Sequence, residues 1–276
     1  MIKIEDTDKL KEVAREVRED VVRMVYNAQS GHPGGSLSAA DIMTVLFFNI
    51  MNHDSKEPDK YDRDRFILSK GHCSPVYYSV LARTGYMDVE ELDTFRKINS
   101  RLQGHPAKKE LSFIETSTGS LGQGLSTASG IAFALRLNKN FSKIYCLCGD
   151  GELDEGQIWE SLMTIKQYNL NNLIIIVDNN TLQIDGCNKD VKNIEPLKEK
   201  FEAFNYHVLD VDGHNIDELI KIFNEAKQKS DSGKNVIIMA HTSKGKGVSF
   251  MENKCEWDGK APKKEEYDVA IKELEE

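Results

Sequence analysis

The stretch Ile144-Tyr145-Cys146-Leu147-Cys148-Gly149-Asp150-Gly151 decides the fold, because an apolar run ends there at a turn that carries a carboxylate. A second apolar run, Leu173-Ile174-Ile175-Ile176-Val177, is closed by Asn179-Asn180. The helix-like stretch 156–168 separates the runs, and a strand, a crossover helix and a parallel strand occupy about this length. If the two strands are neighbours, Asp150 and Asn180 lie at the same edge of the sheet, where open α/β sheets bind their ligands.

The chemistry of this pair indicates a particular metal. One carboxylate and one amide oxygen cannot enclose a metal ion by themselves, but they suit Mg²⁺, which prefers oxygen ligands and completes its shell with substrate phosphates and water. The helix that follows Gly151 is expected to direct its N-terminal N–H groups at the same anion. Asp150 and Asn180 therefore predict a site for a magnesium-bound diphosphate.

Composition and charge narrow the class of protein. The chain has 276 residues, of which 39% are hydrophobic, and it contains no repeat or low-complexity linker. We therefore predict a single α/β domain over residues 1–276. The net charge is −9 and the Lys and Arg residues are dispersed, which argues against nucleic acid as a partner.

Cysteine usage and hydropathy indicate the compartment. The five cysteines show no C-x-x-C spacing, and Cys146 and Cys148 are expected to face the same side of a strand as buried thiols. This favours a reducing cytosol over a disulfide framework. No apolar run approaches the roughly 20 residues that span a bilayer, and Met1-Ile2-Lys3-Ile4-Glu5 lacks a signal-peptide core. We expect a soluble, cytoplasmic protein without a membrane partner.

Apolar periodicity predicts strands and helices that alternate along the chain. The predicted strands cover 65–68, 144–148, 173–177, 206–211 and 236–240. The predicted helices cover 8–28, a segment from an N-cap at Ser38 to about 49, 75–84, 123–138, 156–168, 195–203, 215–228 and 263–276. This alternation indicates an α/β fold with a mostly parallel sheet and helices on both faces.

Three histidines share a local context, since His32, His72 and His105 each follow a glycine in a predicted loop. Imidazole can donate to sugar hydroxyls or phosphate and can move protons near neutral pH. A single such histidine is more simply a loop-packing residue, but three in one context favour a functional site. A His₃ zinc site stays open as an alternative, although spacings of 40 and 33 residues give it no local support.

Each acidic or amide motif also has an ordinary explanation. Gly149-Asp150-Gly151 and Asn179-Asn180 are good turn sequences, and Glu155 is a favourable acid in the first turn of a helix. These explanations account for each motif separately. They do not account for two strands in register that both end in oxygen ligands.

Together these motifs give a resemblance to a known family. The chain resembles the N-terminal, diphosphate-binding half of transketolase from the first helix to about residue 262. The family's motifs follow in order as Ser30-Gly31-His32-Pro33-Gly34, Asp62-Arg63-Asp64-Arg65-Phe66, Ser69-Lys70-Gly71-His72, Gly104-His105-Pro106, Thr118-Gly119-Ser120-Leu121-Gly122-Gln123-Gly124 and the Gly-Asp-Gly/Asn pair. The resemblance implies thiamine diphosphate as cofactor and transfer of a two-carbon ketol unit from a ketose (phosphate) to an aldose (phosphate), as in the pentose phosphate pathway.

The resemblance also implies roles for individual residues. The implied Mg²⁺ ligands are Asp150, Asn180 and the backbone carbonyl of Leu182. The implied cofactor-binding residues are His72, Gly119, Ser120, Leu121, Gly151 and Asn180. The implied catalytic residues are His32 and His105, which contact the donor's hydroxyls, and Glu155, an acid at the dimer interface that links paired active sites.

Two departures from the family pattern matter. The chain ends where the family's pyrimidine-binding domain begins, and that domain carries the glutamate that activates the cofactor. The resemblance therefore implies a partner subunit of roughly 300 residues that carries the pyrimidine-binding half, an α₂β₂ heterotetramer, and inactivity of this chain alone. The second departure is Asp258, which occupies the position of a further family histidine and is expected to disfavour an anionic group nearby.

Two other functions remain possible at this level. The α-subunit of a 2-oxo acid dehydrogenase also carries the Gly-Asp-Gly/Asn pair, but its reaction has no sugar hydroxyls for His32 and His105 to bind. A non-catalytic scaffold subunit would keep the fold without needing a magnesium site. The retained Asp150 and Asn180 argue against a scaffold.

Overall fold

A computed structural model describes residues 3–276, so the first two residues of the segment 1–5 lie outside the described residues. Its centre is a sheet of five parallel strands in the order β1-β2-β3-β7-β6. The strands are β1 Arg65–Leu68, β2 Ile144–Gly149, β3 Leu173–Asn179, β6 His207–Asp212 and β7 Val236–His241. The short strands β4 Leu182–Gln183 and β5 Gly186–Cys187 form a separate antiparallel hairpin. The predicted parallel sheet is confirmed.

Helices cover both faces of the sheet, as predicted. One layer packs α1 Thr7–Ala28, α3 Ala40–Val45, α4 Ser74–Arg83, α9 Ile216–Asp231 and α10 Lys264–Glu275 into one hydrophobic cluster. The opposite layer packs α5 Gln123–Leu137, α6 Gly156–Gln167 and α8 Leu197–Ala203 into a second cluster. The remaining short helices are α2 Pro33–Ser38 and α7 Asn188–Val191.

The central strands are buried on both sides because every residue of their apolar runs contacts one helical layer or the other. Along β2, Tyr145 and Leu147 belong to the first cluster, whereas Cys146 and Cys148 belong to the second. This alternation follows from the two-residue period of a strand. The expected placement of the two thiols is confirmed, since both are buried and their sulfur atoms lie 4.0 Å apart.

Two local expectations are corrected. Ser38 does not cap a helix that starts after it, because α2 already begins at Pro33 and the chain continues through α3 into a π-helical turn, Leu46–Ile50. The Ser38 hydroxyl instead donates to the Gly35 carbonyl, 3.0 Å away, and to Asp178. The α-helix begins at Gly156 as predicted, but a 3₁₀ turn over Gly151–Asp154 separates it from Gly151, so its N-terminal N–H groups do not directly follow that residue.

Further short elements were not predicted from the sequence. The β4-β5 hairpin and α7 follow β3, and 3₁₀ turns occupy Gly71–Cys73, Val89–Thr94 and Cys255–Asp258. None of the helices within residues 3–276 is both long and apolar enough to cross a membrane.

Candidate active site

A cavity of about 410 Å³ lies where the loops after β1, β2, β3 and β7 converge. It is lined by all but two of the residues singled out from the sequence. These lining residues are His32, His72, His105, Gly119, Leu121, Asp150, Gly151, Asn180 and Leu182. Ser120 and Glu155 are exposed and lie outside the lining.

Asp150 and Asn180 are brought together by the register of two neighbouring strands. Gly149 of β2 pairs with Asp178 of β3, so the residues that follow both strands lie at the same edge of the sheet. Asp150 is buried, and its two carboxylate oxygens accept hydrogen bonds from the backbone N–H groups of Gly151, at 2.7 Å, and Thr181. The predicted adjacency of the carboxylate and the amide is thus present.

The environment of Asp150 disfavours its charged form. Burial, reinforced by the nearby Asp178 carboxylate, raises the pKa of Asp150 to about 7. Its two backbone N–H partners and the more distant Lys70 offset that effect in part. A divalent cation at this carboxylate would favour the charged form. Asn180 lies beside it, and its side-chain oxygen accepts from the Leu182 N–H at 3.1 Å.

The three predicted histidines converge in the cavity. The rings of His32 and His72 have centroids 5.2 Å apart, and those of His32 and His105 are 6.3 Å apart. Burial and the neighbouring Lys70 ammonium lower the pKa of His72 to about 4, and burial together with His32 lowers the pKa of His105. His72 and His105 are therefore neutral near pH 7 and can each donate one hydrogen bond and accept another.

A fully buried ion pair joins the loop after β1 to the end of β3. Lys70 donates to the Asp178 carboxylate and to the Gly35 carbonyl, the latter at 3.1 Å. Asp178 also accepts from Ser38, at 2.6 Å, and from Thr242. Burial opposes both charges, but the pair keeps Lys70 protonated and lowers the pKa of Asp178. Lys70 thus brings a fixed positive charge to the cavity wall.

A second buried ion pair also lines the cavity. Lys244 donates to the Asp258 carboxylate and, at 3.3 Å, to the Leu182 carbonyl. Although burial opposes it, the pKa of Asp258 is well below its usual range because His32 and Lys244 stabilise the carboxylate. The other Asp258 oxygen lies 3.6 Å from Nδ1 of His32, a buried nitrogen without a hydrogen-bond partner among residues 3–276.

The glycine-rich loop is shaped by close backbone approach. Gly119 has a φ of +135°, and a Cβ atom there would lie 2.7 Å from the His105 ring. A Cβ atom at Gly71 would lie 2.7 Å from the Gly119 nitrogen. Side chains at these positions would push apart the loops that carry His72 and His105, which explains why glycine occupies both.

In the described part of the chain, neither a second, larger cavity nor a cluster of metal ligands competes with this cavity as the functional site. A larger cavity of about 640 Å³ beside α1 and α9 contains none of the predicted site residues. Within residues 3–276, no three His, Cys, Asp or Glu side chains are grouped so that they could hold a metal. The zinc alternative therefore finds no support in the arrangement of His32, His72 and His105.

Sequence reasoning missed the charged residues that support the site. They are Lys70, Glu152, Asp178, Lys244 and, as a partner of His32, Asp258. One available signal was a charged residue inside an apolar strand, since Asp178 ends the run 173–177. Such a residue is buried and needs a partner, although the sequence does not identify that partner.

Comparison with known proteins identifies the family. The family described as "Transketolase, thiamine diphosphate binding domain" matches residues 9–274. The chain belongs to the transketolase family. It carries that family's thiamine diphosphate binding domain, so the resemblance to a transketolase-type enzyme is confirmed, and the 2-oxo acid dehydrogenase alternative is not supported.

Similar transketolases occur as separate subunits and as longer chains. The chain is 41% identical over 270 residues to a subunit of the apulose-4-phosphate transketolase of Actinobacillus succinogenes, covering 97% of this chain and 96% of that protein. It is 39% identical to 6-deoxy-6-sulfo-D-fructose transketolase subunit SqwG of a Clostridium species, covering 96% of each. It is 40% identical to human transketolase but covers 42% of that protein.

The fold agrees with solved transketolases. The crystal structure of transketolase from Campylobacter jejuni matches with a TM-score of 0.89 and 36% sequence identity, over 96% of this chain and 42% of that chain. A transketolase from Leishmania mexicana matches with the same TM-score of 0.89 at 31% identity. The predicted fold class is therefore confirmed by sequence and by structure.

Proposed function

We propose that this chain is the diphosphate-binding subunit of a thiamine diphosphate- and Mg²⁺-dependent transketolase that transfers a two-carbon ketol unit from a ketose (phosphate) to an aldose (phosphate). One observation carries the proposal: Asp150 and Asn180 follow neighbouring parallel strands in a cavity that also contains three histidines. This combination suits a ligand with both an anionic end and sugar hydroxyls.

Magnesium fits the oxygen donors at the sheet edge. Asp150 and Asn180 would supply a carboxylate and an amide oxygen, and Leu182 a backbone carbonyl, leaving positions for diphosphate oxygens and water. Neutral His72 is proposed to bind the diphosphate, and Gly151, whose N–H donates to Asp150, is proposed to lie beside it. Gly119, Ser120 and Leu121 are proposed to line the cofactor's rings.

When bound, thiamine diphosphate supplies the carbon nucleophile and the electron sink for breaking and forming the carbon–carbon bond, and the protein supplies geometry and electrostatics. We assign His32 and His105 to the substrate's hydroxyl groups. The neutral His105 ring can accept a proton from a hydroxyl at one nitrogen and return it later. Asp258 faces His32 at 3.6 Å, so its negative charge disfavours an anionic substrate group at that wall.

The proposal includes a partner subunit. Similar proteins whose length matches this chain are named as single subunits of a transketolase, which supports a split enzyme whose second chain carries the pyrimidine-binding half. Glu155 is exposed at the start of α6, where a contact between chains could cover it. We propose an α₂β₂ assembly in the cytoplasm, with each complete site built from both kinds of chain.

Reconstitution tests this function. The chain is co-expressed with the product of the neighbouring reading frame, and ketol transfer from a panel of ketose phosphates and ketose sulfonates to aldoses is measured with and without thiamine diphosphate and Mg²⁺. Activity that requires both subunits and both cofactors supports the proposal. Carbon dioxide release from a 2-oxo acid, or an Asp150→Ala complex as active as the unsubstituted one, would refute it.

A further inference from the structure

Glu152 is a buried carboxylate whose hydrogen bonds come from three separate segments of the chain. Its Oε1 accepts from the Ser69 hydroxyl at 2.5 Å and from the Gly122 N–H at 2.8 Å. Its Oε2 accepts from the Gly149 N–H at 3.1 Å. The residue is 2% exposed and its side chain reaches the wall of the active-site cavity.

Each of these segments leads directly to residues proposed to bind the cofactor. Ser69 lies three residues before His72, Gly122 directly follows Leu121, and Gly149 directly precedes Asp150. The loop after β1, the glycine-rich loop before α5 and the turn after β2 therefore meet at one side chain.

All three partners are hydrogen-bond donors, so the position requires a group that only accepts. The hydrogen-bond donors to Glu152 within residues 3–276 are the neutral Ser69 hydroxyl and the backbone N–H groups of Gly122 and Gly149. An ionised carboxylate satisfies three donors at once, whereas an amide of the same shape offers one accepting atom and one donating atom. The site thus distinguishes glutamate from glutamine.

We propose that Glu152 is a positioning residue that holds the three cofactor-binding loops in their mutual arrangement, and so sets the affinity for thiamine diphosphate. It acts through Ser69, Gly122 and Gly149 and does not itself bind the cofactor. The inference rests on the proposed function, because it assigns a role within the same site.

The test uses Glu152→Gln in the complex reconstituted with the partner subunit. The dissociation constant of thiamine diphosphate is measured by isothermal titration calorimetry with Mg²⁺ in excess. We expect it to rise at least about tenfold, since one buried N–H donor then faces an amide NH₂ group. With saturating cofactor, kcat should remain within about threefold of the unsubstituted value, because no reacting group is altered.

Two further variants sharpen the test. Glu202→Gln makes the same chemical change at an exposed position on α8 and should leave the dissociation constant unchanged. Ser69→Ala removes one donor without introducing a new one and should weaken cofactor binding at least about threefold even if Glu152→Gln fails to fold. If Glu152→Gln folds, adding Ser69→Ala to it should raise the dissociation constant of thiamine diphosphate by a smaller factor than Ser69→Ala does in the unsubstituted complex.

The outcomes separate this inference from the function on which it rests. If the unsubstituted complex binds thiamine diphosphate but Glu152→Gln or Ser69→Ala binds it equally well, the positioning role is wrong and the proposed function survives. A role in filling space alone would give that result, because glutamine matches glutamate in shape. If the unsubstituted complex fails to bind thiamine diphosphate, both proposals are wrong.

Discussion

The buried pair of Lys70 and Asp178 allows a quantitative prediction about stability. Both side chains are almost fully buried, at 2% and 0% exposure. Lys70→Met keeps most of the side chain's volume but leaves the Asp178 carboxylate, among the residues that the structure describes, with the Ser38 and Thr242 hydroxyls as its remaining partners. Breaking a buried pair in this way costs about 3–5 kcal/mol. We expect the free energy of unfolding at pH 7 to fall by that amount.

The assay is equilibrium urea unfolding of the purified chain, followed by circular dichroism from pH 7 to pH 4. In the native protein Lys70 lowers the pKa of Asp178, so its stabilisation is full above the unfolded pKa of about 3.9 and is lost below it. Without Lys70, the buried carboxyl can gain a proton at a higher pH. The difference in free energy of unfolding between the native protein and Lys70→Met should therefore become smaller as the pH falls.

A double variant serves as the control. Lys70→Met with Asp178→Asn removes both charges and should recover more than half of the lost stability, because no unpaired charge stays buried. A Lys70→Met deficit below about 1 kcal/mol, or one that does not change between pH 7 and pH 4, would refute this account of the pair.

Three further predictions concern stability and loop geometry. His214→Ala should cost about 1–3 kcal/mol in urea unfolding, because it removes one hydrogen bond from the buried Asp41 carboxylate, which keeps Arg18, and leaves the Ser243 N–H without its acceptor. Burial lowers the pKa of His53, so the unfolded state binds a proton more readily than the folded state does. The free energy of unfolding should be full above pH 6.5 and should fall below that pH by at most about 1.4 kcal/mol per pH unit. In His53→Gln this dependence on pH should be weaker. Gly71→Ala places a Cβ atom 2.7 Å from the Gly119 nitrogen and should abolish cofactor binding as measured by calorimetry. As a control, the Cβ atom of Gly130→Ala meets nothing within 4 Å. This control should raise the melting temperature, because alanine stabilises a helix by about 0.5–1 kcal/mol relative to glycine.

The features that sequence predicted well are those set by local pattern. The apolar runs 144–148 and 173–177 are too short for helices and are flanked by turn residues, so they indicated buried parallel strands. Their spacing then placed Asp150 beside Asn180 without any knowledge of packing. The histidines after glycines were likewise recognised from local context.

The features that sequence missed depend on contacts between distant segments. Ser38 resembled a helix cap, but the helix begins earlier, at Pro33. The Ser38 hydroxyl instead donates to the carboxylate of Asp178, a residue of β3. The pairing of Lys70 with Asp178, 108 residues apart, follows from neither residue's surroundings in the chain. Glu152 was not singled out from the sequence, because its three donors converge only after the loops have folded.

The most direct test of the central claim is the binding of a divalent cation at Asp150 and Asn180. Mn²⁺, which can replace Mg²⁺ at oxygen sites, is titrated into the reconstituted complex with thiamine diphosphate present, and bound metal is counted by electron paramagnetic resonance. We expect one cation for each copy of this chain, and a loss of bound cation in Asp150→Ala that remains when the cofactor is in excess. Stoichiometric binding that survives Asp150→Ala would contradict the account.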